Sequence, residues 1–444
     1  MVMIKKSYLL AFIFILIGCS CKTMVYHEDN VKNILQVKEG ILCPSSKKII
    51  YKRNGEKIAL IKLSDAVCVA QAEKEESWGF FQFPTISKSN DGVIYVNWQM
   101  AEDTHKSYGL KTGRSISMKS NNKGLNWSPQ SENYFAFNKD YYVFLHDNSK
   151  LGIHTPPSKD INRYNKFPAP LSKKGNYYYY LMDSLPQDLQ GVYLNLWDKN
   201  NNYKLIHSKL EDNKLLRYSI DNLMPIVWWG DIKKLSDNSL IAGVYPTIYQ
   251  NKSGDVTHSS VSFYRSNDMG ISWVRKCIIP VCQDGILNKY GDNRFDEPTF
   301  EILADSTFIC VMRSGTISPM YKTFSYDKGE TWTTPKPFTP NGVKPHLFLL
   351  DNGILVLVSG RPGIQIRFDF EGSGKTWSDP IDMISFINKD GSYNRDVSCG
   401  YASILVDGRD SFYIVYSDFS TKNSHGEIRK SIICRRVTVK KIIN

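Results

Sequence analysis

Four short segments of the chain share one spacing of small polar residues, glycine and tryptophan. SNDMGISW spans 266–273 and SYDKGETW spans 325–332, while SNNKGLNW at 120–127 has asparagine in place of the aspartate. FEGSGKTW at 370–377 keeps only the glycine and the final Thr-Trp pair of the pattern. Aspartate can hydrogen-bond its own backbone and glycine tolerates a positive φ, so each segment predicts a tight turn. Four copies at one spacing indicate a repeated structural unit.

A second pattern, a strand followed by an Asx/Gly/Ser turn and another strand, recurs between these turns. Such turns between β-branched and aromatic runs are a strong hairpin signal. The segments with this pattern are FPTISKSNDGVIYVNW, YYVFLHDNSKLGIH, GDIKKLSDNSLIAGVY, EPTFEILADSTFICVM, KPHLFLLDNGILVLVSG and YASILVDGRDSFYIVYS. Sustained helical periodicity is almost absent, so an all-β chain is predicted. Regular repetition of short hairpins is typical of a radial array of small sheets.

The four turn segments resemble the Asp-box, the S-x-D-x-G-x-T-W turn of sialidase-type β-propellers. The resemblance implies a six-bladed propeller over residues 75–444, which would be the catalytic domain. Seven blades stay possible, because the region 177–221 is hard to count. In that family the boxes hold the outer hairpins of the blades, so their aspartates are expected to be structural and to lie outside the active site.

The first residues have the composition of an export signal. Lys5 and Lys6 precede an apolar run over 8–17, which is too short to span a bilayer comfortably. Gly18 and Cys19 follow, and small residues before a cysteine resemble the bacterial lipoprotein signal. Residues 1–21 are therefore predicted to be a signal with Cys19 as the lipidation site, an ordinary secretory signal being the alternative. The protein is then expected at the cell envelope, in the periplasm or on the outer membrane surface, tethered by residues 22–74 with possible first strands.

Charge and cysteine usage limit the partners. The formal net charge is +12, but no long basic run occurs, so nucleic acid is not predicted as a partner. A basic surface suits an acidic glycan, although only weakly. Nine cysteines give no clear disulfide framework; Cys277 and Cys282 could pair or stay free. No CxxC motif or His/Cys cluster indicates a metal, and we expect a monomer without a cofactor.

The resemblance extends to candidate catalytic residues between 297 and 401. The sialidase family clamps the substrate carboxylate with three arginines, whose guanidinium forks match carboxylate geometry. It uses a tyrosine nucleophile, which a glutamate activates by accepting the phenol proton. By position along the chain, Glu297 resembles the activating glutamate and Tyr401 the nucleophile. Arg313 and Arg361 resemble the second and third clamp arginines. Each residue also has an alternative interpretation. Glu297 could be a surface acid at a strand end, Arg313 and Arg361 could form surface ion pairs, and Tyr401 could be a core aromatic.

The N-terminal part departs from the family pattern. Sialidases usually begin the first blade with F-R-I-P, and the matching string here is Phe81–Pro84, with Gln82 in place of the first clamp arginine. Gln82 can donate a hydrogen bond to a substrate but carries no charge. Asp103 is the best candidate for the acid/base, with Glu102 and His105 as rivals. Arg114, Arg294 and Arg395 could replace the missing arginine. Trp228 and Trp229 could stack on a sugar or lie in the core.

The resemblance implies an exported, retaining exo-glycosidase that removes a terminal acidic sugar, with sialic acid as the first hypothesis. Gln82 keeps a second hypothesis open, a propeller glycosidase or lyase acting on a uronic acid or deoxy-sugar glycoside. A third is a glycan-binding lipoprotein that has lost turnover. Because one fold supports many functions, the choice depends on the site.

Overall fold

All six predicted hairpins are present, and each contributes the first two strands of an antiparallel meander. The computed structural model describes residues 37, 40–109, 116–130, 142–281, 285–290 and 294–442. We name the meanders A to F in chain order. Their first two strands are Phe80–Lys88 and Ile94–Met100 (A), Val143–Phe144 and Lys150–His154 (B), Trp229–Lys234 and Leu240–Thr247 (C), Asp296–Ile302 and Phe308–Arg313 (D), Val343–Leu349 and Leu355–Gly360 (E), and Ala402–Val406 and Ser411–Asp418 (F).

The outer strands complete each meander. In meanders A to E, the third and fourth strands are Ile116–Ser120 and Ser128–Gln130 (A), Val192–Trp197 and Tyr203–Glu211 (B), Ser260–Ser266 and Ser272–Ile279 (C), Met320–Ser325 and Lys336–Thr339 (D), and Ile364–Asp369 and Ile381–Asp382 (E). In meander F the third strand is Ser431–Lys441. Meanders B and C are joined at their outer edges by parallel pairing of 209–211 with 272–274. The chain is therefore all-β, as predicted.

The meanders are arranged radially. The first strands of B, C, D, E, F and A contact one another in that order. The four turns predicted from the sequence connect the third and fourth strands of A, C, D and E, and the glycine of each lies against the preceding meander. Gly270 lies against Leu151 of meander B, and Gly124 lies against Tyr413 of meander F. The contact between A and F brings the first and last meanders of the chain together, as in the radial arrangement of a β-propeller.

Each turn is held by its own side chains. In meander C, Asp268 accepts hydrogen bonds from the Ser266 hydroxyl at 2.7 Å and the Ser272 amide at 2.9 Å. In meander D, Asp327 accepts from the Ser325 hydroxyl and the Thr331 amide, both at 2.8 Å. These hydrogen bonds lower the pKa of both aspartates although burial opposes the shift. Their carboxylates hold the turns and lie outside the cavity described below.

We expect Gly329→Ala to destabilise the protein through packing as well as through backbone strain. Gly329 has φ +87°, and a methyl group there would lie 2.4 Å from Ile241 Cδ1 of meander C. Gly55 has the same φ, with nothing within 4 Å of such a methyl group. Gly329→Ala should therefore lower the free energy of unfolding by about 1–3 kcal/mol more than Gly55→Ala, as is typical of overpacking. Urea titration of both variants measures the difference, and equal losses would contradict the packing argument.

Part of the predicted N-terminal tether belongs to the propeller. Strands Lys47–Arg53, Glu56–Leu63 and Val67–Gln71 join meander F, where the second and third pair with its strand Ser431–Lys441. Strand Ile41–Leu42 pairs in parallel with Ile381–Asp382 of meander E. The boundary predicted at residue 75 is therefore too late, because the apolar residues of 47–63 complete a sheet formed mainly by the C-terminal part of the chain.

The region that was hard to count forms a separate sheet, which we call the side sheet. Its strands lie in the connections within meander B and from B to C, outside the radial repeat. They are Lys159–Asp160, Ser172–Lys174, Tyr177–Leu181, Leu216–Ile220 and Leu223–Met224. Among the described residues, the remaining regular elements are one short α-helix, Ile286–Tyr290, and 3-10 turns at His105–Ser107, Ile161–Arg163, Met182–Ser184, Gln187–Leu189 and Arg395–Val397. Within the described ranges, no helix combines the length and apolarity needed to cross a membrane.

Some sequence-based predictions fall on residues outside the described ranges. These are the signal over 1–21 with Cys19, the alternative arginine Arg114, and Cys282 as a partner for Cys277. The Cys277 thiol itself donates to the Gly329 carbonyl at 3.4 Å.

Candidate active site

A cavity of about 930 Å³ opens where strands of the meanders end near the axis. One side is charged and is formed by residues of meanders D and E and by the segment that precedes meander D. The other side is aromatic and comes from the loop after the second strand of A, the side sheet and meander C. The charged side chains are Arg294, Asp296, Glu297, Arg313, Lys344 and Arg361; Asp103 and Tyr401 also line the cavity. The structure therefore brings Tyr401, Glu297, Arg313, Arg361 and Asp103 to one site.

A repeated backbone kink directs side chains into this cavity. Phe83, Glu297 and Lys344 each precede a proline near the start of a first strand, and all three line the cavity. Their φ angles are 51°, 46° and 44°, which are strained values for residues other than glycine. The strand register shifts at the same place in meanders A, D and E. Bulges of this kind re-aim a side chain next to a functional site.

Tyr401 and Glu297 form the central pair. The Tyr401 hydroxyl donates a hydrogen bond to Glu297 Oε1. The backbone N–H of Lys344 donates to the other carboxylate oxygen, Oε2, at 2.7 Å, and Glu297 is only 4% exposed. Burial raises the pKa of Tyr401 well above its ordinary value, and the nearby Glu297 carboxylate raises it further. The phenol is therefore neutral at neutral pH, and it can act as a nucleophile only if Glu297 accepts its proton.

Arg313 supports this pair. Its Nη1 donates to Glu297 Oε1 at 2.9 Å, its Nε to the Gly315 carbonyl at 3.0 Å and its Nη2 to the Thr316 hydroxyl at 3.3 Å. Burial opposes the charge of Arg313, but Glu297 and the neighbouring acidic groups raise its pKa overall. All three nitrogens of the guanidinium thus have protein partners, so Arg313 is first of all an electrostatic partner of Glu297.

Arg361 lies beside Tyr401 because two strand ends approach closely. A side-chain carbon at Gly360 would lie 1.9 Å from the Gly400 carbonyl oxygen, so only glycine allows the ends of meanders E and F to meet. Arg361 and Tyr401 directly follow these glycines in sequence. The Arg361 guanidinium lies 5.8 Å from the ring centre of Trp78, in cation–π geometry.

Asp103 is the acidic residue of its loop that reaches the cavity. The indole Nε1 of Trp78 donates to Asp103 Oδ2 at 3.3 Å, which ties the carboxylate to the same tryptophan that contacts Arg361. Of its rivals, Glu102 is exposed, as Asp103 also is, and His105 Nε2 lies 3.3 Å from Asp221 Oδ2. Neither rival lines the cavity, so the geometry favours Asp103.

Gln82 does not occupy the position expected for a substrate-binding residue. Its side chain is fully buried, and among the described residues neither its amide oxygen nor its nitrogen has a hydrogen-bond partner. The next residue, Phe83, lines the cavity instead and packs edge-on against the Tyr401 ring at 4.9 Å. The register shift in this strand explains the exchange, because a one-residue change sends neighbouring side chains to opposite faces.

Of the arginines considered as replacements for the missing clamp residue, Arg294 reaches the cavity. It lies 3.2 Å from Asp296 Oδ2, and both side chains line the cavity. Arg395 is exposed in a 3-10 turn and does not line it.

Sequence reasoning missed most of the aromatic side of the cavity. We call this side the aromatic wall; it consists of Tyr108, Tyr177, Tyr179, Tyr218 and Trp229. The two adjacent tryptophans separate: Trp229 lines the cavity, whereas Trp228 is 2% exposed and packs against Trp273. The four consecutive tyrosines from 177 were the available signal, since alternate residues of a strand share a face.

The comparisons with known proteins concern the fold. The sequence matches no protein-family model, and the search of curated proteins finds no match. A protein of unknown function from Dyadobacter fermentans DSM 18053 superposes with a TM-score of 0.53 and 17% identity, covering 86% of this chain and 99% of that chain. The Hadza microbial sialidase Hz136 superposes with a TM-score of 0.45 and 13% identity, covering 81% of this chain and 65% of that chain. An α-L-arabinanase from Penicillium chrysogenum superposes with a TM-score of 0.46 and 13% identity, covering 84% of this chain and 98% of that chain. The similarity to the Dyadobacter protein shows a shared fold.

Proposed function

We propose that the protein is a retaining exo-glycosidase in which Tyr401 and Glu297 form the nucleophilic pair. The observation that carries the proposal is the hydrogen bond from the Tyr401 hydroxyl to the buried Glu297 carboxylate, inside a cavity that Asp103 also lines. A nucleophile bonded to a base that a third group holds in place is the arrangement expected for covalent catalysis. Here Arg313 and the Lys344 amide hold the base.

The reaction then proceeds in two steps. In the first, Tyr401 Oη bonds to the anomeric carbon as its proton passes to Glu297, and the glycosidic bond breaks as Asp103 protonates the leaving oxygen. In the second, Asp103 removes a proton from water and the water oxygen bonds to the anomeric carbon. The bond from the anomeric carbon to Tyr401 Oη breaks, and the proton on Glu297 returns to that oxygen. Two inversions retain the anomeric configuration.

A terminal acidic sugar, with sialic acid as the first choice, is the substrate that the charged side favours. Arg361, Arg294 and Lys344 place positive charge around Tyr401 and Glu297. A second candidate is a sugar held by fewer charged contacts, such as a uronic acid or deoxy sugar. The burial of Gln82, the packing of Phe83 against Tyr401 and the engagement of Arg313 favour it. A glycan binder without turnover is the alternative from another class.

The architecture and location follow the same proposal. We count the six meanders as six blades and interpret the four turns as Asp-boxes. The protein would be a monomeric lipoprotein of a bacterial envelope, exported by the signal over 1–21 and anchored at Cys19. Cys19→Ser should then move the protein from the membrane fraction to the soluble fraction of expressing cells. Equal fractionation of both forms would contradict the anchor.

Hydrolysis of an aryl α-sialoside by protein lacking residues 1–21 tests the function, with aryl uronides and deoxy-sugar glycosides assayed alongside. Release from the sialoside, abolished by Tyr401→Phe, would support the first substrate. Release only from another glycoside, equally abolished, would support the second. Hydrolysis unaffected by Tyr401→Phe would refute the nucleophile, and binding of glycans without any hydrolysis would favour the binder.

A further inference from the structure

The aromatic wall is built mainly by the side sheet, which lies outside the radial repeat. Tyr177 and Tyr179 alternate along one strand and face the cavity, while Tyr180, on the other face, is 4% exposed in a core cluster. Tyr218 lies directly opposite Tyr179 on the neighbouring strand and therefore faces the same side. The side sheet thus supplies three of the five rings of the wall.

The wall combines apolar rings with available hydroxyl groups. Tyr177 contacts Tyr218 edge-on at 5.5 Å between ring centres, and Tyr108 contacts Trp229 edge-on at 5.2 Å. Within the described part of the chain, the hydroxyls of the four wall tyrosines have no hydrogen-bond partner. Burial raises the pKa of Tyr108, Tyr179 and Tyr218, so these hydroxyls are protonated at neutral pH. Aromatic faces beside free hydroxyls suit the apolar faces and polar edges of sugar rings.

The position of the wall relates it to the leaving group. Asp103 and Tyr108 belong to one loop, and the Asp103 charge contributes to the raised pKa of Tyr108 after burial. In the proposed reaction, the sugar that is attacked lies at the charged side, with Glu297 and Arg361. An acid that protonates the bridging oxygen must lie between that sugar and the leaving group. The leaving group therefore extends from Asp103 along the wall.

We propose that the aromatic wall binds the leaving-group side of an oligosaccharide, with neutral sugar rings stacked on Tyr177 and Tyr218. This rests on the proposed function and narrows its substrate: the terminal sugar is released from a chain of at least two further rings. The wall presents aromatic rings and hydroxyl groups and has no acidic or basic side chain, which suits uncharged sugar rings. The side sheet is then the element that distinguishes an oligosaccharide from a small glycoside.

Binding to an array of defined oligosaccharides, some neutral and some with an acidic terminus, tests the proposal without needing turnover. Full-length Tyr401→Phe protein is compared with the same protein carrying Tyr177→Ala. Tyr177 is 42% exposed, so its replacement should leave the fold intact. We expect binding to oligosaccharides with neutral inner rings, weakened about tenfold or more by Tyr177→Ala, as is typical of an aromatic anchor. Tyr177→Phe, which keeps the ring, should retain most of the affinity.

Tyr326→Ala is the matched control, because Tyr326 is 67% exposed on a turn remote from the cavity. Unchanged affinity in Tyr177→Ala, an equal loss in Tyr326→Ala, or no binding to any oligosaccharide would overturn the proposal. Absence of hydrolysis by the parent protein, together with binding that depends on Tyr177, would refute the enzymatic function and leave the wall as a glycan-binding site.

Discussion

Replacing Tyr401 by phenylalanine is expected to reduce hydrolysis by a factor on the order of 10⁴ or more, the scale of nucleophile removal in covalent catalysis. The substitution removes only the hydroxyl that bonds Glu297, and it keeps the ring that packs against Phe83. Glu297 retains Arg313 and the Lys344 amide, so its charge stays compensated. The thermal midpoint should therefore change little, and the loss should appear in kcat.

Tyr245→Phe is the matched control for this prediction. Tyr245 also lines the cavity, and burial, followed by Glu297, raises its pKa well above the ordinary value. In the described structure its hydroxyl does not bond Glu297, so Tyr245→Phe should keep most of the parent's activity. Comparable losses in the two variants would indicate that any cavity hydroxyl matters and would argue against Tyr401 as the nucleophile.

Glu297→Gln is expected to lower turnover by roughly 10²–10⁴-fold, the usual contribution of a general base. Glutamine can still accept from the Lys344 amide, but it cannot take the Tyr401 proton, whose pKa is already raised by burial. The same change leaves the largely buried Arg313 without its anionic partner. Breaking one side of a buried ion pair costs about 3–5 kcal/mol. The expected loss is smaller because Gln keeps a hydrogen bond, and it should appear as a lower urea midpoint.

Glu301→Gln separates the catalytic effect from the electrostatic one. Glu301 lies four residues beyond Glu297 in the same strand, pairs with Lys233 at 3.0 Å and accepts from the Leu349 amide at 3.3 Å. It is therefore also an acid held by a cation and a backbone amide, but it does not line the cavity. Glu301→Gln should lower stability while leaving kcat unchanged. If its kcat falls as far as that of Glu297→Gln, loss of stability rather than loss of a base explains both.

The local pattern of the chain was sufficient to predict the strands of the six hairpins. Each of the six hairpins has an Asx or Gly turn between apolar runs, and such turns depend on neighbouring residues only. The structural role expected for Asp268 and Asp327 came from the resemblance to the Asp-box, and both carboxylates accept hydrogen bonds within their turns. The residues Glu297, Arg313, Arg361 and Tyr401 were found because they follow one another in the order of a known family, at the ends of predicted strands.

The sequence by itself determined the all-β class, the hairpins, the repeated turns and the set of residues around Tyr401, since all of these depend on local periodicity or on order along the chain. Only the tertiary structure decided which side chains meet. A register shift decides that Phe83 rather than Gln82 lines the cavity. The aromatic wall depends on a sheet assembled from two separate connections. The pairing of residues 59–63 and 67–71 with 431–441 joins the two ends of the described chain in one sheet. Such contacts follow from the packing of distant segments, which no local pattern records.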